Sequence, residues 1–99
     1  MIHELTRIHI QPGKQKEFEA AVAKGVDEVI RHSTGFIAYK LNQSLQNPEL
    51  YQLHISWETY DNHMIDFRES PAFPKWRAYV SEYFVDAPST EHYVTVLGA

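Results

Sequence analysis

Apolar and polar positions alternate along the chain in two periods, and the change between them marks the elements. Ile2 to Gln11 alternates β-branched with polar residues and predicts a strand, with Ile8 and Ile10 on one side and Leu5, Arg7 and His9 on the other. Pro12-Gly13 ends it. From Lys14 to His32 the apolar residues Phe18, Val22, Val26, Val29 and Ile30 fall near helical spacing, and Gly35 follows as a stop residue. Phe36 to Ser44 and Leu50 to Trp57 predict two further strands, joined at Asn47-Pro48 as a hairpin.

Beyond Trp57 the period becomes helical again. Thr59 is placed to cap a helix that carries Tyr60, His63, Met64 and Phe67 on one face. Ser70-Pro71 breaks this helix and starts another, with Ser as cap and Pro at the first helical position. Phe73, Trp76, Arg77, Val80 and Phe84 then recur at helical spacing. After Ala87-Pro88-Ser89, Glu91 to Leu97 predicts the last strand. The order strand, helix, strand, strand, broken helix, strand predicts an α+β chain. It is a ferredoxin-like four-stranded antiparallel sheet with helices on one face, in one domain over residues 1–99.

That architecture leaves a second sheet face without helices. Leu5, Arg7, His9, His54 and Ser56 are expected there, together with Tyr39 and Leu41. Pairing two such faces about a two-fold axis would bury them, so a homodimer is expected.

Composition narrows the function classes. The formal charge is −4, which argues against a non-specific nucleic-acid binder and against an anionic membrane surface. There is no cysteine, hence no disulfide framework and no thiolate zinc site. The N-terminal MIHELTRIHI is too short and polar for a signal peptide, and no apolar run approaches the roughly 20 residues of a membrane span. A cytoplasmic chain is expected. Four scattered glycines make no phosphate loop, no serine sits in a G-x-S-x-G elbow, and no histidine spacing suits a metal.

The remaining candidate chemistry lies between Leu50 and Arg77. Aromatic walls with a few placed polar groups suit a flat organic ligand, and equally an ordinary core. His63 is either a base for a substrate proton or a core-edge histidine. Arg77 either holds an anion or runs past the apolar face to solvent. Trp57 and Trp76 are either ligand walls or packing. His92 and Tyr93 point to opposite faces of the last strand, so one of them reaches the helix side. His9 and His54 are expected to share the open face, as an interface cluster rather than a metal site.

Several of these motifs together resemble the antibiotic biosynthesis monooxygenase (ABM) superfamily of dimeric α+β barrels. They are Pro12-Gly13-Lys14 through Phe18, Gly35-Phe36, Trp57-Glu58 and Ser70-Pro71-Ala72-Phe73. The tail Glu91-His92-Tyr93 is similar to an uncharacterised branch. The resemblance implies a cleft between sheet and helices in each subunit. Characterised members include quinol and polyketide-anthrone monooxygenases that use dioxygen without metal or flavin, and others degrade haem. The haem-degrading pattern asks for Asn, Trp and His where this chain has Thr6, Phe67 and Arg77, so that route is not expected.

The resemblance thus implies cofactor-free oxygenation of a phenolic or quinol-like molecule. His63, or in second place His92, would remove the proton, and Arg77 would steady the anion. Tyr60, Phe67, Phe73, Trp76 and Trp57 would surround the ring. Two alternatives stand beside it: a non-catalytic, ligand-binding or stress-associated dimer, and a proton-transfer enzyme of the same fold.

Overall fold

A computed structural model describes residues 1–99. Strands β1 (Ile2–His9), β2 (Phe36–Gln43), β3 (Leu50–Trp57) and β4 (Ser89–Tyr93) form one antiparallel sheet in the order β2-β3-β1-β4. Helices α1 (Gln15–Glu28) and α2 (Ala72–Val80) cover one face. The fold is ferredoxin-like.

The core follows from alternation. Ile8 and Ile10 of β1 and Tyr51, Leu53, Ile55 and Trp57 of β3 point to the helices and are buried. From α1, Phe18, Val22 and Val26 meet them, and Ile30 continues the stripe. The predicted helix to His32 is interrupted: α1 stops at Glu28, Val29 leaves helical geometry, and Ile30–His32 makes a single 3₁₀ turn. At Gly25 the two helices approach so closely that a Cβ would sit 2.8 Å from the Trp76 ring.

Two expectations about the sheet are corrected. A bulge between Phe36 and Ala38 shifts the phase of β2, so Tyr39 lies opposite Ile55 and Leu41 opposite Leu53. Both therefore pack on the helix-side core instead of the open face. The last strand is Ser89–Tyr93 rather than Glu91–Leu97. Tyr93 pairs with His3, near the start of β1, so little of β1 remains for the residues that follow.

His9 and His54 do share the open face but do not meet. His54 Nε2 lies 2.9 Å from His3 Nδ1, whereas His9 faces Asp86 at 3.8 Å. No three His, Cys, Asp or Glu side chains gather as a metal site. No helix is long and apolar enough to cross a membrane.

The segment between β3 and α2 departs most from regular geometry. Thr59 and Asn62 cap it reciprocally: the Thr59 hydroxyl accepts from Asn62 N–H, and Asn62 Oδ1 accepts from Thr59 N–H. Asn62–Phe67 then winds as a π-helix, and Arg68 N–H donates to the His63 carbonyl five residues back. Ser70 closes the turn, donating its hydroxyl to the Phe67 carbonyl and accepting from Ala72 N–H.

Candidate active site

The inward phase of β1 does not end at Ile8. Thr6 and Glu4 continue it, so two polar side chains enter the helix-side core and are buried there. Glu4 is held on two sides. The Thr6 hydroxyl donates to Oε2 at 2.7 Å, and Trp57 Nε1–H donates to Oε1 at 3.0 Å. Thr6 also meets Thr90 of β4 at 2.8 Å.

The π turn places His63 above this carboxyl. His63 is 4% exposed, and its ring stacks on Trp57 with centroids 5.3 Å apart and planes 18° apart. Its Nε2 lies 3.3 Å from Glu4 Oε1, and its Nδ1 lies 2.8 Å from His92 Nε2. His92, in the inward phase of β4, is half-buried and meets the exposed Tyr60 edge-on at 4.7 Å. Glu4, His63 and His92 thus form a continuous polar line through an aromatic core.

Burial dominates the electrostatics. It raises the Glu4 carboxyl above the ordinary carboxylate range, against the lowering by Thr6, Trp57 and the Arg68 charge. It lowers His63 to about 4, helped by His92 and Arg68. His92 is lowered by burial and by Arg68. His63 is therefore neutral at pH 7, and an imidazole–carboxylate ion pair is not its resting state.

Beside Glu4 lies a cavity of about 90 Å³ between sheet and helices. Of the residues singled out from sequence, His63, Phe67, Phe73, Trp76 and Arg77 line it. Trp57, His92 and Tyr60 do not. Trp57 lies behind Glu4 as its hydrogen-bond donor, His92 behind His63, and Tyr60 beyond His92 at the surface.

Arg68 and Arg77 both stand over the Phe73 ring, with guanidinium carbons 5.1 Å and 5.7 Å from its centroid. Arg77 also lies 5.3 Å from the Phe84 centroid. Neither forms an ion pair with a carboxylate, and the buried Nε of Arg77 has no hydrogen-bond partner. The cavity therefore carries a surplus of positive charge beside a carboxyl of raised pKa.

Glu4, Thr6, Thr90 and Arg68 were not among the sequence candidates. The first two were within reach: extending the alternation of Ile8 and Ile10 backward puts both inside. Thr90 and Arg68 become visible only once β4 lies beside β1 and the π turn is in place.

A wider depression of about 440 Å³ lies on the open sheet face, among Leu5, Arg7, Asn42, Gln52, Glu91 and Tyr93. Its one linked acid-base pair is exposed: the Tyr93 hydroxyl donates to Glu91 at 3.2 Å. Asn42 reaches only Gln52, at 3.4 Å. The helix-side cavity is the better candidate for chemistry.

Comparison with known proteins agrees with this architecture. A Bordetella bronchiseptica structure named for antibiotic biosynthesis monooxygenases is 40% identical, with a TM-score of 0.91 over 97% of both chains. The uncharacterized protein YczJ of Bacillus subtilis (strain 168) is 29% identical over 96 residues, which is 97% of this chain and 100% of YczJ. The Streptomyces coelicolor monooxygenase ActVA-Orf6, solved with the ligand Nanaomycin D, has the same fold. Its TM-score is 0.81 at 20% identity, over 99% of this chain and 88% of that one. The family described as Antibiotic biosynthesis monooxygenase matches residues 1–79, and the chain belongs to it.

Proposed function

We propose that this protein is a cofactor-independent monooxygenase acting on a phenolic or quinol-like small molecule. The observation that carries the reading is the joining of three features in one cavity: aromatic walls, the Glu4–His63–His92 line, and the two unpaired arginines. Family membership supports the reaction class.

The chemistry would begin with removal of the phenolic proton by the acid-base line. The fixed charges of Arg77 and Arg68 would stabilise the phenolate, more strongly in a site with little water. The electron-rich ring would pass an electron to dioxygen and then combine with it. One oxygen atom stays on the ring, the other leaves as water, and the substrate supplies the electrons for both.

Cavity size selects among substrates. An apolar cavity of about 150 Å³ admits benzene; this one, at about 90 Å³, takes part of a single ring. A one-ring quinol held partly in this cavity, beside Arg68 and Arg77, fits better than a fused polycycle.

The open sheet face is assigned to a second copy of the chain, as a two-fold homodimer. Half-buried Leu5 and Leu50 and exposed Tyr93 lie there with no helix above them.

Oxygen-electrode measurements with a panel of one-ring quinols and anthrones test the function. Oxygen uptake matched by oxygenated product is expected for the quinols. Saturable binding without uptake would replace this reading with the ligand-binding one. Exchange of substrate hydrogen for solvent deuterium without uptake would replace it with proton transfer.

A further inference from the structure

His63 has no nitrogen to spare. Its Nδ1 faces His92 Nε2 at 2.8 Å and its Nε2 faces Glu4 Oε1 at 3.3 Å. An imidazole takes a proton only through a lone pair that faces the donor. A substrate in the cavity therefore finds both positions of His63 already occupied by the protein.

Glu4 differs. Its Oε1 is shared by Trp57 and His63, while Oε2 receives only the Thr6 hydroxyl. A carboxylate oxygen offers two lone pairs, so Oε2 retains one. Glu4 and Thr6 both line the cavity, and His92 does not. The line from Glu4 through His63 to half-buried His92 thus runs from the cavity toward a different part of the surface, where Tyr60 is exposed.

We infer that Glu4 is the group that takes the substrate's proton, and that His63 and His92 carry it between Glu4 and solvent. This rests on the oxygenation reading of the same cavity. The substrate O–H bond breaks, its electron pair stays on oxygen, and the proton bonds to Glu4 Oε2. In the same step the carboxyl proton on Oε1 passes to His63 Nε2, His63 gives its Nδ1 proton to His92 Nε2, and His92 gives its Nδ1 proton to water. Both imidazoles end neutral, with the proton moved from Nδ1 to Nε2. The reverse passage returns one proton when reduced oxygen leaves as water, so the cycle closes.

The ionisable groups facing this path are few. They are Glu4 on β1, His63 and Arg68 on the π turn and its end, Arg77 on α2, His92 on β4, and Tyr60 against the His92 ring. The raised Glu4 carboxyl suits a group that holds one proton while it passes another on.

Two measurements test the inference. The first follows the carboxyl carbon of Glu4 and the ring nitrogens of His63 and His92 by NMR across pH, with no ligand. Glu4 is expected to titrate above the ordinary carboxylate range, with the His63 nitrogens changing in the same step. His63→Phe should shift the Glu4 titration. Glu4 titrating independently of both histidines overturns the inference.

The second is turnover of a quinol consumed by the native protein. Glu4→Gln, which keeps an acceptor oxygen for Trp57 and turns its amide NH2 to the Thr6 oxygen, should lower kcat at least ~100-fold. His92→Phe should lower kcat and alter its pH profile, with free imidazole in the buffer restoring part of the rate. Undiminished turnover in Glu4→Gln overturns the inference. If no quinol is consumed by the native protein, the oxygenase reading fails, and the linked titration still decides whether these groups share a proton.

Discussion

Trp57 and Glu4 form a buried pair in which the indole N–H donates to the carboxyl at 3.0 Å. Trp57 ends β3 and is fully buried, and Glu4 enters from the neighbouring strand. The largest core side chain is thus also the support of the most deeply placed carboxyl. Trp57→Phe keeps an aromatic ring but removes that donor. It should destabilise the fold by about 1–3 kcal/mol and raise the Glu4 carboxyl further. Urea unfolding and carboxyl NMR of the variant measure the two effects.

The burial of His63 and Glu4 gives stability a pH dependence of two opposite signs. Unfolded His63 binds a proton near 6.5, but folded His63 only near 4. Between these values the unfolded state holds more protons, so this contribution falls with falling pH. Glu4 acts in reverse. Its folded carboxyl keeps a proton above 4.5, where the unfolded one has lost it, so its contribution falls with rising pH. His63→Phe should flatten the acid side of the stability profile. Glu4→Gln should gain on the native protein as pH rises. Denaturant unfolding across both windows checks the slopes.

Gly25 allows α1 to approach α2 at Trp76. Gly25→Ala raises helix propensity but drives a methyl to 2.8 Å from the indole. Overpacking should win, with a net loss of about 1–3 kcal/mol. Because Trp76 lines the cavity, its fluorescence should shift in the same variant. A gain in urea midpoint would show that the indole moves aside freely.

Arg77 has aromatic neighbours and no carboxylate partner. Arg77→Met retains a long side chain and loses only the charge. Stability should change by less than about 1 kcal/mol. Affinity for 4-nitrophenolate should fall about tenfold or more, as expected for loss of a charged hydrogen bond. Nitrobenzene, uncharged and of similar shape, should bind both proteins alike. Calorimetry with the two ligands separates charge from packing.

The proposed two-fold contact has a direct probe in Leu5, half-buried at the centre of the open face beside His54 and Glu91. Leu5→Lys places an ammonium group on that face of each copy, where a closed interface would have to bury it. Sedimentation velocity should show a dimer for the native chain and a larger monomer fraction for the variant. A native monomer at micromolar concentration removes the dimer.

Alternation carried much of this structure in plain view. Leu50 to Trp57 is a strand with the bounds its pattern predicts, and the strand–helix order leads to the observed sheet. Two local irregularities were not legible. The bulge before Ala38 reverses which β2 residues face inward, and the π turn replaces a face that had read as α-helical. Tyr60, His63, Met64 and Phe67 fit one α-helical face, yet His63 and Phe67 are buried while Tyr60 is 48% exposed. The site itself was half legible. Histidine and arginine draw notice in an aromatic segment, but Glu4 in a short polar-looking strand does not. Its partners lie far along the chain: Trp57 is 53 residues away, and the His63–His92 contact spans 29.

The π turn makes the site depend on chain length as well as on residue type. A π turn is an α-helix that has taken in an extra residue. Deleting one position within Asn62–Phe67 would let the segment rewind as an ordinary helix, with its caps at Thr59 and Ser70 still present. Each side chain on one side of the deletion would then turn by about 100° relative to the other side. The sheet and both main helices could remain while a different side chain came to lie over Glu4. Within this outline, insertion or loss of a single residue is a route to a different chemistry.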